Sequence, residues 1–332
     1  VAVPGSAGIR YAGRALAGDR GYRDILECDG GFLDTYCYVP LPEMMGGFGE
    51  TWVTRTVAFK PAPGCAYLQS PLQAYRELRD EHGFSGQEVE SVTVDAPLMT
   101  LLMESHSSPF WEESQLTPVN VTFSVALSLG VMLIEDDFGV DYLEKSYLES
   151  NSDAIREAAQ SVTLNHSWDH TFQVMEGVTA GMDTGPLVEK HGYWSILNGL
   201  RSMREHHQGL STSKELFSLI TSGQFGKIMK LFDSPLDWET FDIGRAELDE
   251  FKFNFGASVT VELESEGELT RDLKGHRGRS EEKSARQKPI VEGKLWEQAD
   301  AHYPSSRAEK LISSIQDLPE TKLNQIVDVL FE

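Results

Sequence analysis

Pro61, Pro63 and Gly64 follow closely on the apolar-rich run Trp52 to Phe59 and stop it. Proline fixes φ and carries no backbone N–H, so neither a helix nor a central strand passes through Phe59-Lys60-Pro61-Ala62-Pro63-Gly64. Beyond this break Leu68, Leu72, Tyr75 and Leu78 recur at spacings of four and three, which is one apolar face of a helix. Lys60 therefore stands at a rigid corner that leads into an amphipathic helix. It either meets an anion there or remains a solvated loop residue.

Composition narrows what such a corner can serve. The 332 residues are 40% hydrophobic, enough for two domains or one large one. A net charge of -23 excludes a general phosphate-neutralising surface, so neither nucleic acid nor an anionic membrane is an expected partner. The longest apolar run, Phe123 to Ile134, is too short to span a bilayer and reads as a buried helix interrupted by Ser124, Ser128 and Gly130. Val1 to Ala17 lacks the basic-then-apolar order of a secretory leader. Cys28, Cys37 and Cys65 form no CxxC pair, and a cytoplasmic location is expected.

Along the chain, Ser6 to Ala17 reads as a helix with Ile9, Ala12, Ala15 and Leu16 on one face. Pro40, Pro42 and Gly46-Gly47-Phe48-Gly49 mark a domain boundary. Val92 and Val94 alternate with polar residues as a half-buried strand ending near Pro97. Glu104 to Thr117 reads as a polar loop, and Asp153 to Ala159 as a short helix. Residues 181 to 250 suggest two or three helices. Val259, Val261 and Leu263 give a second strand, turned back at Gly267. A basic run follows in Lys274, His276, Arg277, Arg279, Lys283, Arg286 and Lys288, either an anion site or an exposed loop. Two amphipathic helices, Leu311 to Leu318 and Leu323 to Phe331, close the sequence.

No GxGxxG, P-loop, HExxH or GxSxG motif is present. His166 and His170 would share a face if helical, but no cysteine ligand accompanies them, so neither metal nor cofactor is expected. What remains is distributed: Lys60 at its corner and the basic run after the last strand. Two separated basic elements suit a substrate with more than one carboxylate, and fixed cations favour charge developing on an enolate.

These residues also carry a resemblance. Ile25-Leu26-Glu27, Gly31-Phe32, Ala58-Phe59-Lys60-Pro61, Gly64-Cys65, Val92-Thr93-Val94, Phe123-Ser124, Val259 to Leu263, Lys274-Gly275 and Lys294 onward resemble, in that order, the MmgE/PrpD family of 2-methylcitrate dehydratase and cis-aconitate decarboxylase. The resemblance implies an α+β fold, an all-helical domain with an inserted α/β lid. Residues 1–50 and 283–332 would be helical-domain segments and 51–282 the lid, with a helical insertion at about 181–250. It also implies that Lys60 faces the active cleft. The sequence departs from the family at Gln69, where a histidine is common, at Gln73, where an acidic residue is common, and in lacking the decarboxylase's tyrosine near Met99, Thr100 and Leu101. The family's helical portion upstream of this sequence is also absent.

The expected function is a cofactor-independent lyase-type subunit acting on a small carboxylate by dehydration or decarboxylation. Lys60 is the candidate catalytic residue, and Tyr67, Gln69, His276, Arg277 and Arg279 are the candidate substrate contacts. A second protein chain would supply the missing helical half, in a homo- or hetero-oligomer. The alternatives are an isomerase or cyclase of secondary metabolism on the same fold, and a non-catalytic structural subunit.

Overall fold

The computed structural model describes residues 2–37, 56–112, 115–180, 251–264, 267–279, 284–316 and 329. The chain divides into two compact units. One comprises Val1–Thr51, Pro186–His206 and Leu236–Arg245; the other comprises Trp52–Gly185, His207–Pro235 and Ala246–Glu332.

In the first unit, α1 (Ala2–Leu16) is the helix expected from the Ala- and Gly-rich stretch. Its apolar side chains are open to solvent: Ile9 is 79% exposed and Leu16 92%. A short α2 (Phe32–Tyr36) follows, with Leu33 buried.

The second unit is built on a mixed four-stranded sheet of order β2-β1-β3-β4. β1 (Val89–Ala96) runs parallel to β2 (Val162–His166) and antiparallel to β3 (Ala257–Leu263), which turns at Gly267 into β4 (Gly267–Leu273). Period-two alternation places Val92, Val94 and Ala96 of β1 and Ala257, Val259 and Val261 of β3 in the core, all fully buried. Val92 pairs with Val261 and Val94 with Val259, so the apolar faces of the two central strands coincide in register.

Parallel neighbours need a long crossover. Here it is helical: α4 (Leu98–Ser107), α5 (Pro118–Thr122), α6 (Val125–Glu135) and α7 (Lys145–Gln160). Before β1 lies α3 (Gln69–His82), entered through a 3-10 turn at Ala66–Leu68. Its stripe of Leu68, Leu72, Tyr75 and Leu78 is buried in the main core, as the spacing requires. Each of those leucines contributes roughly 1.5–3 kcal/mol of apolar burial. After the sheet come α9 (Ser284–His302) and α10 (Ser305–Gln316), both in the second unit; α8 (Trp168–Ala180) follows β2.

Several readings are corrected. The loop expected from Glu104 onward is helical as far as Ser107, because Glu104 points inward. Its carboxylate accepts from Ser124 Oγ and Val125 N, both at 2.6 Å, and so caps α6 from a neighbouring helix. The serines that interrupt the apolar run are spent inside it: Ser124 is the N-cap of α6, and Ser128 Oγ donates to Val121 O at 2.7 Å. The helix expected at Asp153 to Ala159 begins earlier, at Lys145. The basic run is no continuous loop, since Arg286 and Lys288 lie on α9. Leu311 and Ile312 are buried on α10 as expected. The expected insertion at 181–250, the Gly46 to Gly49 cluster and, apart from Val329, the last helix lie outside the described residues.

Candidate functional site

The Pro-Ala-Pro-Gly segment is held by the helix it feeds. Gln69, at the start of α3 and 2% exposed, accepts from Ala62 N at 3.0 Å and donates to Ala62 O and Cys65 O, both at 3.1 Å. Cys65 N donates to Thr122 O at 3.1 Å, and Tyr67 OH donates to Phe123 O at 2.8 Å. Burial pushes the Tyr67 phenol up, and Cys65 and Glu104 add to the shift. The corner is therefore held by hydrogen bonds to α3 and to the segment that precedes α6.

Lys60 itself is exposed. Its ammonium folds back to donate to Gly64 O at 2.6 Å, where Gly64 takes a φ of +121.

The turn after β4 meets this corner. Phe59 N donates to Gly278 O at 2.7 Å, joining the two basic elements that are far apart in sequence. Gly278 has a φ of +90, and a Cβ there would collide with the Phe59 carbonyl oxygen. Arg277 N donates to Gln73 Oε1 at 2.7 Å, while its guanidinium reaches Glu77 Oε1 at 3.3 Å. Gln73 Nε2 donates to that same Glu77 oxygen at 2.8 Å. From α9, Lys294 Nζ donates to Lys60 O at 2.9 Å. Burial holds the Lys294 ammonium below the usual lysine range; Glu297 pushes the other way, and the Lys60 charge adds to the lowering. A cleft of about 210 Å³ opens beside the corner, lined by Gln69, Gln73, Arg76, Glu77, Asp80 and Arg277 among others; neither Lys60 nor Lys294 is among its lining residues.

Of the residues named from sequence, Lys60, Gln69 and Arg277 come together. Gln69 does so as the brace of the loop, with both donor hydrogens committed to carbonyls. Tyr67 is buried and turned to Phe123 O. His276 is buried at 2% exposure, and Arg279 Nη1 donates to Gly275 O at 2.8 Å within its own turn. Sequence reasoning passed over Lys294 as a site residue. Its signal was the spacing of four from Ile290, which puts both on one face of α9.

A second polar cleft, of about 590 Å³, lies at the carboxyl ends of β1 and β2, where open α/β sheets commonly bind ligands. Asp95, His166, Asp169, His170, Asp272 and Lys274 are among its lining residues. The two histidines share no helical face: His166 ends β2 and His170 lies on α8, which corrects the helical reading. His166 Nε2 meets Thr171 Oγ1 at 2.8 Å. His170 Nε2 faces Asp272 Oδ1 at 3.2 Å and its Nδ1 faces Gln173 Oε1 at 3.4 Å, so the ring braces α8 against β4. Among the described residues no group of three or more His, Cys, Asp or Glu could hold a metal ion. No helix among them is long and apolar enough to cross a membrane.

No protein-family model matches the chain, and no curated protein matches it either.

Proposed function

We propose that this chain is a lyase-type subunit acting on a small carboxylate at the Lys60 corner, as its resemblance to the MmgE/PrpD family implies. One observation carries the reading. The sequence holds 52 acidic residues against 29 basic ones, yet the ammonium groups of Lys60 and Lys294 donate to backbone carbonyls. Among the described residues neither lysine has a carboxylate within ion-pair distance. In so acidic a chain that is not for want of acids, and a carboxylate ligand would supply the missing charge. Lys60 would hold it and stabilise negative charge developing on the adjoining carbon. Arg277, exposed and only loosely paired with Glu77, would take a second carboxylate.

Calorimetric titration with citrate and tricarballylate tests the site. Binding to the wild-type chain that falls at least about tenfold in Lys60→Met, equivalent to about 1.4 kcal/mol, is the expected result. Equal affinity in both removes the site. Turnover assays with 2-methylcitrate and cis-aconitate, on protein purified gently enough to keep any second chain, test the chemistry. Native mass spectrometry of the same sample reports whether a second, helix-rich chain accompanies it.

A second reading, an isomerase or cyclase on the same fold, draws on Gln69 and Gln73. Gln69 is committed to backbone groups and Gln73 to Arg277 N and the Glu77 carboxylate, and neither amide moves a proton. Turnover of an uncharged or monocarboxylate substrate that survives Lys60→Met would favour this reading.

A further inference from the structure

The stretch that the sequence presents as a polar loop, Glu104 to Thr117, contributes to an apolar pocket. We propose that this pocket binds a small molecule with an apolar acyl body and an uncharged carbonyl head, such as a primary amide. None of its lining residues belongs to the Lys60 corner, so the inference stands whether or not that corner takes a carboxylate.

Two short helical faces make the walls. On α4 and the 3-10 turn Ser108–Phe110 that continues it, Met103, Ser107 and Phe110 recur at spacings of four and three, and so share a face. From α5 and its C-cap come Val119 and Phe123, four apart. With His106, Thr117 and Asn120 these residues line about 310 Å³. A cavity of roughly 150 Å³ accepts benzene, so this one has room for roughly a dozen non-hydrogen atoms. Phe110, Val119 and Phe123 are 53%, 65% and 42% exposed, so three large apolar side chains stand open around it.

Two polar side chains in this lining point to a ligand. Ser107 and Asn120 are each only 8% exposed. Thr117 N donates to Asn120 Oδ1 at 2.8 Å, and Thr117 Oγ1 donates to the same oxygen at 2.6 Å. A backbone N–H can only donate, so the amide is oriented: Oδ1 closes the turn, and Nδ2 is the end left over. Among the described residues Asn120 Nδ2 has no hydrogen-bond partner, and neither has Ser107 Oγ. Both atoms keep access to open space, and the pocket is the space their residues line. A donor held in apolar surroundings without an acceptor is costly to keep, and a ligand carbonyl would supply one. Ser107 Oγ would donate to the same oxygen or accept from an amide N–H. No described Lys or Arg lines the pocket, in a chain of net charge -23. A carboxylate head would therefore lack the cation that offsets its desolvation.

The test is calorimetric titration of the full chain with octanamide, and with octanoate as the charged counterpart. Saturable, equimolar binding of octanamide is expected, at least about tenfold tighter than that of octanoate. Asn120→Asp keeps the oxygen that accepts from Thr117 N and loses the donor, so octanamide affinity should fall at least about tenfold. Ser107→Ala removes a hydroxyl that has no partner in the fold, and should weaken binding about threefold or more. Urea unfolding checks that both variants fold; Ser107→Ala decides alone if Asn120→Asp does not. Methionine-methyl NMR locates the ligand, since the Met103 signal, assigned through Met103→Leu, should shift on titration. Heat that never saturates, octanoate binding as tightly as octanamide, or an affinity unchanged in the folded variants overturns the proposal. So does binding that leaves the Met103 signal in place.

Discussion

The two polar regions of the second unit solve the same problem in opposite ways. In the cleft at the strand ends side chains are tied to one another across the fold: His170 lies between Asp272 and Gln173, and Gln173 Nε2 donates in turn to Lys274 O at 2.5 Å. In the Lys60 corner the ammonium groups are answered by carbonyl oxygens. A side chain tied to its neighbours joins one element to another, whereas a cation denied a carboxylate in an acidic protein retains most of its attraction for an anion. The larger cleft is thus braced, and the Lys60 corner is where an anion gains most.

Substitutions can break this contrast from either side. The largest effect is expected at Gly278, whose positive φ and contact with Phe59 O both exclude a side chain. Gly278→Ala should cost roughly 3–4 kcal/mol in denaturant unfolding and abolish carboxylate binding with it. An unchanged midpoint would mean that the corner is not latched there. Gln69→Ala comes next: it leaves Ala62 N, Ala62 O and Cys65 O without their side-chain partner and should cost about 2–3 kcal/mol. In the cleft, His170→Leu removes a brace and should cost about 1–2 kcal/mol while leaving tricarballylate affinity unchanged. Lys60→Met is the converse, within about 0.5 kcal/mol of wild-type stability but defective in binding. If His170→Leu lost binding and Lys60→Met did not, the assignment of the two regions would be reversed.

How far this was legible in the sequence depends on the element. β1, β3 and α3 declare themselves by strict period, because each buries one face and shows the other. β2 does not: only Val162 is buried, so the strand has no alternation to read. Neither does the end of α4, where a glutamate occupies an inward position to cap another helix. Lys60 could be singled out, since proline chemistry is local. The approach of Gly278 and Lys294 to it could not, because it depends on how the turn after β4 and α9 pack, which no local pattern encodes. For the same reason the part of Gln69 as strut of the loop could not be read from the sequence.

The smallest expected effect tests whether a buried charge matched by backbone donors behaves as the cleft does. Burial raises the Glu104 carboxyl above its ordinary value, while Ser124 and the amides of Val125 and Ala126 pull it down without cancelling the shift. An acid raised on folding contributes stability that is fully present below its unfolded pKa, near 4.5, and is lost as pH rises through the folded one. Wild type should therefore lose stability relative to Glu104→Gln as pH rises above the ordinary carboxyl value, measured by urea unfolding at each pH. The Gln variant keeps a donor-accepting oxygen for Ser124 or Val125, so the comparison isolates ionisation from capping. A difference that grows with pH instead would show that the α6 amides outweigh burial. Glu104 would then be a charge that the helix end draws in.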